Sequence, residues 1–423
     1  MSATSSSPLS PVTGAAGPAA AEAPLEWHER LALRAQGGPS ELSAILALAA
    51  AGGDLVDFSG GFPDTTLYDT DLLGEIAAKQ IGTRPEVALQ YASNWGLPSL
   101  REALRADIAR NQGHVPGEDE LMVTSGGVDA LTLACKAMLD DGDAVLVEAP
   151  SYLGAFNVIR SHGGEPVSMR NDEHGLVPAS VREAAEAARA AGRTPKFVYV
   201  IPDFQNPSGL LLAEDRRREL VDLCRELGLL LLEDVAYRDL AFDGSYLRSI
   251  YEIGPDVTVQ TGTFSKTFTP GARMGWACGP ATVIRAMAEA KTNTDQCAGA
   301  LGQCILEALI TDGHYAASLP RLREAYAARA SALVGAFEDR LDGLATWTVP
   351  EGGFFTWLDV PGVDTKELAG VGIENGVAFV PGSPFFADGR ASAQLRMSFS
   401  RTPAERMAEG VDRLGRSIEQ LRG

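Results

Sequence analysis

From about residue 120 to residue 280 the chain repeats one rhythm: a short apolar run closes on small or polar residues, and a helical pattern often follows. The runs are Leu121-Met122-Val123, Ala144-Val145-Leu146-Val147, Phe197-Val198-Tyr199-Val200-Ile201, Leu229-Leu230-Leu231-Leu232, Val257-Thr258-Val259 and Met274-Gly275-Trp276-Ala277. They are continuous rather than alternating, which predicts strands buried on both faces, as in a largely parallel sheet covered by helices. Between them lie amphipathic stretches such as 214–227, with Leu220, Leu223 and Leu227 on the apolar side. The pattern predicts an α/β sandwich, in which ligands bind at the carboxyl ends of the strands.

After about residue 281 the rhythm changes. Two long helical patterns, 282–311 and 314–341, precede strand candidates at 345–349, 354–358 and 395–399, with helices predicted over 365–375 and 403–421. This is the pattern of a second, smaller α+β domain. The division expected is a disordered tail over 1–25, an arm over 26–60 packing with the small domain, a large domain over 61–300 and a small one over 301–423. The tail is Ser, Ala, Pro and Gly with hardly a charge, too little apolar surface to offset ordering entropy. It lacks the basic start and apolar centre of a secretory signal.

The length of 423 residues suffices for two or three core-building units. A net charge of −20 argues against a nucleic-acid partner, although a local basic pocket for a small anion stays open. The five cysteines show no CxxC spacing and suit reduced thiols in a cytoplasm. No pair of histidines has metal-ligand spacing, so no metal is expected, and no apolar stretch reaches membrane-spanning length.

Candidate chemistry falls just behind the apolar runs. Thr124-Ser125-Gly126-Gly127-Val128 is a small-residue turn opening a helix, where backbone N–H groups can approach a phosphate; tight strand-to-helix turns also use glycine for their own sake. Tyr152 can stack on a flat ring or simply pack. Asn206 can donate to a ligand or serve only as a turn former before proline. Glu233-Asp234 follows four leucines, and an acid there needs a cationic partner, such as a protonated ring nitrogen or a structural arginine. Behind Val257-Thr258-Val259 comes Gly262-Thr263-Phe264-Ser265-Lys266, with Arg273 seven positions on. A poorly solvated lysine there is a candidate Schiff-base nucleophile, and the hydroxyls with Arg273 suit a phosphate dianion. A solvated turn lysine beside a surface arginine fits that segment equally well. Five strand ends, each offering a group that one cofactor needs, are harder to dismiss than any one of them.

Taken with Phe58-Ser59-Gly60-Gly61-Phe62-Pro63, Gln90-Tyr91, Gly96-Leu97-Pro98-Ser99-Leu100-Arg101, Gln205-Asn206-Pro207-Ser208-Gly209, Pro350-Glu351-Gly352-Gly353-Phe354, Val380-Pro381-Gly382 and Leu395-Arg396-Met397-Ser398, the chain resembles the fold-type I pyridoxal-phosphate enzymes from about residue 40 onward. Within them it resembles the class I/II aminotransferases, in the branch with 2-aminoadipate and kynurenine aminotransferases. The resemblance implies pyridoxal 5'-phosphate held by Lys266 as a Schiff base, Asp234 on the ring nitrogen, Tyr237 and Asn206 on the ring hydroxyl, and Tyr152 stacked on the ring. Gly126, Gly127, Val128, Thr263, Ser265 and Arg273 would hold the phosphate, and Tyr91 would reach the phosphate of a neighbouring subunit in a homodimer. Arg396, helped by Asn206, Gly60 and Gly61, would grip the substrate carboxylate. The activity implied is amino-group transfer between an L-amino acid and a 2-oxo acid.

Gly127 and Val128 stand where the branch commonly has a serine and a glutamine, so backbone amides would carry more of the phosphate. The predicted helix at 40–48 lacks the arginine that members binding a second carboxylate often place there, and Arg30 and Arg34 read equally well as surface charges. Two rival readings share the fold: an elimination, substitution or bond-forming enzyme, and a ligand sensor. The sensor needs a basic helix-turn-helix unit, for which the stretch before the match is short.

Overall fold

The computed structural model describes residues 27–32 and 54–423. The expected tail, Arg34, the predicted helix at 40–48 and most of the expected arm therefore lie outside the described residues. Trp27–Arg30 forms a short 3-10 turn in which Arg30 is exposed. Among the described residues, every strand and α-helix lies within 54–423.

A seven-stranded sheet is built from β1 (Leu121–Thr124), β2 (Ala144–Val147), β3 (Glu165–Ser168), β4 (Pro195–Val200), β5 (Leu230–Asp234), β6 (Thr258–Thr263) and β7 (Gly275–Cys278). Its spatial order is β1-β7-β6-β5-β4-β2-β3. All neighbouring pairs run parallel except those of β7, which is antiparallel to both β1 and β6. The connection from β6 to β7 spans residues 264–274 and carries only a 3-10 turn, so no crossover helix returns the chain to the parallel direction. Sequence reading supplied six of these strands and missed β3. That strand is an edge, half exposed, with Pro166 in its middle, and an edge needs no continuous apolar run.

Both faces of the sheet are covered, which is why the runs are continuous. Val145, Val147, Phe197, Tyr199 and Leu232 pack against Ala130 of α2 (Gly127–Met138), Ile159 of α3 (Leu153–Ser161) and Ile284 of α6 (Ala281–Thr292). Their neighbours Leu146, Val198, Val200 and Leu231 pack on the other face against Val181 of α4 (Ala179–Ala190) and Leu220 and Cys224 of α5 (Glu214–Leu227). Each such side chain contributes about 1.5–3 kcal/mol by leaving water. Helix α5 has Glu214 and Asp215 in its first turn and stops at Gly228, whose φ of 68° suits only a residue without Cβ penalty. Helix α1 (Pro98–Gln112) packs its Leu100, Leu104 and Ile108 beside β1.

The predicted helix over 282–311 is two helices, α6 and α7 (Ala300–Thr311). The Lys291 carbonyl accepts from the backbone N–H of Thr294, Asp295 and Gln296, and Gln296 has φ 69°, so the chain turns out of the helix there. Helix α8 (His314–Arg340) follows as expected.

A four-stranded antiparallel sheet contains β8 (Thr346–Trp347), β9 (Phe355–Asp359), β10 (Val380–Pro381) and β11 (Gln394–Ser398) in the order β8-β9-β11-β10. Helix α9 (Met407–Arg422) closes the chain. Val56–Asp57 pairs in parallel with Val377–Ala378 beside this unit, then carries the chain on to Ser59 and Gly61. Among the described residues no helix is long and apolar enough to cross a membrane.

Candidate active site

A cavity of about 320 Å³ opens at the carboxyl ends of the central strands. Asp234 ends β5 and Thr263 ends β6; Ser265, Lys266 and Arg273 come from the loop between β6 and β7. Gly127 and Val128 enter from the first turn of α2, Tyr152 from the start of α3, and Asn206 from the loop after β4. Arg396 arrives from the other sheet, where β11 holds it between Trp357 and Val380. Ser59, Gly61 and Phe62 complete one wall.

Burial dominates the electrostatics. The Lys266 ammonium donates to the Gly61 carbonyl at 3.0 Å and lies 5.7 Å from the ring centres of Tyr237 and Phe354. Desolvation first, and then the Arg396 cation, bring its pKa down from 10.5 to about 8, against the opposing pull of Asp234. Asp234 accepts from the Tyr199 hydroxyl at 2.8 Å and from the Ala236 N–H at 3.1 Å. Burial still raises its pKa above the usual carboxylate value, so it lacks a cation close enough to compensate. Burial likewise raises the Tyr237 and Tyr152 hydroxyls. Arg396 donates to Asn206 Oδ1 at 2.9 Å and to the Ser59 carbonyl at 2.7 Å, while its buried Nε has no partner. Desolvation holds its pKa down to about 10.

The lysine shift gives a pH prediction. In the unliganded protein, capture of an aldehyde by Lys266 should rise with pH, bend near pH 8 and then level, because the neutral amine is the nucleophile. Reductive trapping followed by peptide mass analysis reads this directly; a rate still climbing at pH 10 would contradict it. Folding stability should also rise between about pH 8 and 10.5, since in that window the unfolded chain binds the proton and the folded one does not.

In the turn before α2, Gly126 has φ 102°, and a Cβ there would stand 2.7 Å from an Arg273 guanidinium nitrogen. The backbone of the turn and the guanidinium therefore touch, which only glycine permits. Arg273 itself has φ 51°, an unfavourable conformation for a residue with a side chain. Thr263 Oγ1 donates to Ser265 Oγ at 3.0 Å and accepts from the Ser265 N–H. At the start of α3, a Cβ on Gly154 would fall 2.3 Å from the Tyr152 ring, so glycine is needed for that ring to fold back.

Pyridoxal phosphate fits these residues. A buried carboxylate whose burial outweighs the pull of Lys266 suits a protonated ring nitrogen, a nucleophilic amine suits the aldehyde, and hydroxyls with an arginine at a helix start suit the phosphate. The orphaned Arg396 Nε suits a carboxylate.

Of the residues singled out from the sequence, Gly60, Gly126 and Tyr91 do not line the cavity. Gly126 lies just behind it, and a Cβ on Gly60 would strike the Phe62 ring at 2.8 Å. Tyr91 is 79% exposed on the surface of the single chain. Glu233 takes a structural place: its carboxylate accepts from the N–H groups of Ile250 and Tyr251 and from Gln260, so amides rather than a cation satisfy it. Sequence reading passed over Tyr199, hidden inside an apolar strand run, where a lone hydroxyl among valines was the available signal. It also passed over Phe62, Leu131, Leu153, Ile201 and Phe355, which give the cavity its apolar walls.

Residues 66–414 match the family described as aminotransferase class I and II. The chain is similar to the 2-aminoadipate transaminase of Thermus thermophilus, 34% identical over 94% of this chain and 98% of that one. It is similar to aromatic-amino-acid aminotransferase 1 of Thermococcus litoralis, 32% identical over 94% and 96%. Among solved structures, alpha-aminoadipate aminotransferase from Thermus thermophilus in complex with N-(5'-phosphopyridoxyl)-L-leucine superimposes with a TM-score of 0.85 at 32% identity, over 94% of this chain and 99% of that one. With this cavity at the strand ends and these matches along nearly its whole length, the chain belongs to the class I and II aminotransferases and is a pyridoxal-phosphate-dependent enzyme of fold type I.

Proposed function

We propose that amino-group transfer in this enzyme is carried by Lys266, Asp234 and Arg396 acting in one cavity. The observation that carries the reading is their grouping: a lysine whose pKa is brought to about 8, a buried acid without a compensating cation, and an arginine with a free buried Nε, all on the same walls. Bound pyridoxal phosphate supplies an electron sink for the charge left when substrate Cα loses its proton. Asp234, oriented by Tyr199, keeps the ring nitrogen protonated. With the cofactor bound, Lys266 Nζ would hold it covalently and, once displaced by the substrate amine, would accept the Cα proton, a transfer worth about 10²–10⁴ in rate. Arg396 holds the substrate carboxylate, with Asn206 and the Gly60-Gly61 backbone beside it, so that the Cα–H bond faces the lysine.

Tyr237 and Asn206 are assigned to the ring hydroxyl and Tyr152 to the ring face. Gly126, Gly127, Val128, Thr263, Ser265 and Arg273 are assigned to the phosphate. Gly127 and Val128 offer no polar side chain, so backbone N–H groups carry that part. Residues 61–300 serve as the cofactor-binding domain and 301–423 as the small domain. Two chains form a dimer in which exposed Tyr91, two residues after exposed Leu89, reaches the partner's phosphate site. The cysteines, none of them in a disulfide, favour a cytoplasmic location.

The test is a half-reaction on cofactor-loaded protein with single amino acids and no oxo acid. One equivalent of 2-oxo acid per cofactor, with the amino group retained on the protein-bound cofactor, is the expected result. Continuous turnover of the amino acid alone would overturn the proposal.

A further inference from the structure

Directly behind the Ser125-Gly126-Gly127 turn lies a charged cluster with no part in the amino-group chemistry. Lys291, near the end of α6, is fully buried. Its ammonium donates to Asp129 Oδ2 at 2.8 Å, to Asp295 Oδ1 at 2.7 Å and to Ser125 Oγ at 3.2 Å. The same two carboxylates hold Ser125 itself: its backbone N–H donates to Asp129 Oδ2 at 2.8 Å and its hydroxyl to Asp295 Oδ2. The break between α6 and α7 is what lets Asp295 reach back to this point.

Asp295 stands at the surface and Asp129 is partly buried, but a fully buried ammonium is expensive and needs a reason. The first N–H groups of α2 have no partner within the helix, and side chains 127 and 128 cannot help hold an anion. The orientation of the turn therefore matters more than usual, and Ser125 is the residue that sets it. Two carboxylates also lie close to where a dianion would bind, and Lys291 between them offsets their field.

Resting on the phosphate role proposed for this turn, we propose that Lys291, with Asp129 and Asp295, is a positioning group for the cofactor phosphate. It fixes Ser125 so that the backbone N–H groups of residues 126–128 face the dianion, and it masks the two acids behind them. A cluster that merely stapled α6 to α2 would change stability without distinguishing a phosphorylated ligand from its unphosphorylated parent.

The measurement is the ratio of dissociation constants for pyridoxal and pyridoxal phosphate, taken on the full chain freed of cofactor. Asp129→Ala leaves Lys291 paired with Asp295, so folding is retained while the Ser125 backbone N–H, next to the turn, loses its acceptor. Its ratio should fall by about 10-fold or more, the usual cost of one charged hydrogen bond. Asp129→Asn keeps an acceptor for the Ser125 N–H and should stay within about threefold of the parent. Lys291→Met should fall at least as far as Asp129→Ala. Arg273→Ala calibrates the phosphate assignment itself: its ratio must fall, and if it does not, that assignment fails and this inference with it. If Arg273→Ala lowers the ratio while Asp129→Ala keeps the parent value, whatever its melting temperature, the inference alone is overturned.

Discussion

Lys266→Ala is expected to slow amino-group transfer by at least roughly 10²–10⁴-fold, the part due to lost proton transfer alone. Loss of the covalent tether adds to this. The cations among the described residues lining the cavity are Lys266, Arg273 and Arg396, and a guanidinium cannot act as a base near neutral pH. No other lining cation can therefore take over the proton. The variant should fold normally, and its melting temperature at pH 7 should match or exceed the parent's. The side chain removed is a desolvated ammonium whose own burial opposes its charge. Single-turnover release of 2-oxo acid is the proper assay, since it isolates chemistry from cofactor exchange. A variant within tenfold of the parent would remove Lys266 from its assigned role. Added primary amine of small size should restore part of the rate, because the lost function is a proton acceptor at a defined place.

Arg396→Ala should lower kcat/KM for amino acids by roughly 30- to 5000-fold, the range for deleting one partner of a buried, hydrogen-bonded charge pair. Two of its nitrogens are already committed, one to Asn206 and one to the Ser59 carbonyl. The buried Nε is left without a partner, and a carboxylate would complete the guanidinium's hydrogen bonding. The rings of Phe355 and Phe385, with centres 4.3 and 5.0 Å from the guanidinium carbon, restrict its plane. Arg396→Lys should recover little, since one ammonium cannot reproduce a planar fork. Affinity for pyridoxal phosphate should change little in either variant. If cofactor affinity falls while KM for the amino acid holds, the assignment to substrate is wrong.

Much of the site was legible because its groups sit at ends of apolar runs, and the runs themselves follow from burial on both faces. Asp234 could be singled out as an acid too close to four leucines to go unpartnered, and Lys266 as a cation set among hydroxyls. Tyr199 was not legible as a site residue. It lies one residue from the end of β4 and meets Asp234 only because β4 and β5 pair with Tyr199 opposite Leu232, a register that no local pattern encodes. Glu233 and Asp234 are adjacent and chemically alike, yet the strand's alternation sends one to backbone amides and the other to the cavity.

By itself, the sequence determined the sheet-and-helix rhythm, the change of that rhythm after residue 281 and the strand ends where chemistry collects, because burial and helix periodicity act locally along the chain. Tertiary structure alone decided the reversed direction of β7, the edge strand β3, the break at Lys291, and the arrival of Arg396 beside Asn206 from 190 residues away. Each of these depends on pairing or contact between distant segments. Their free energy comes from hydrogen bonds and packing that exist only once both partners are in place.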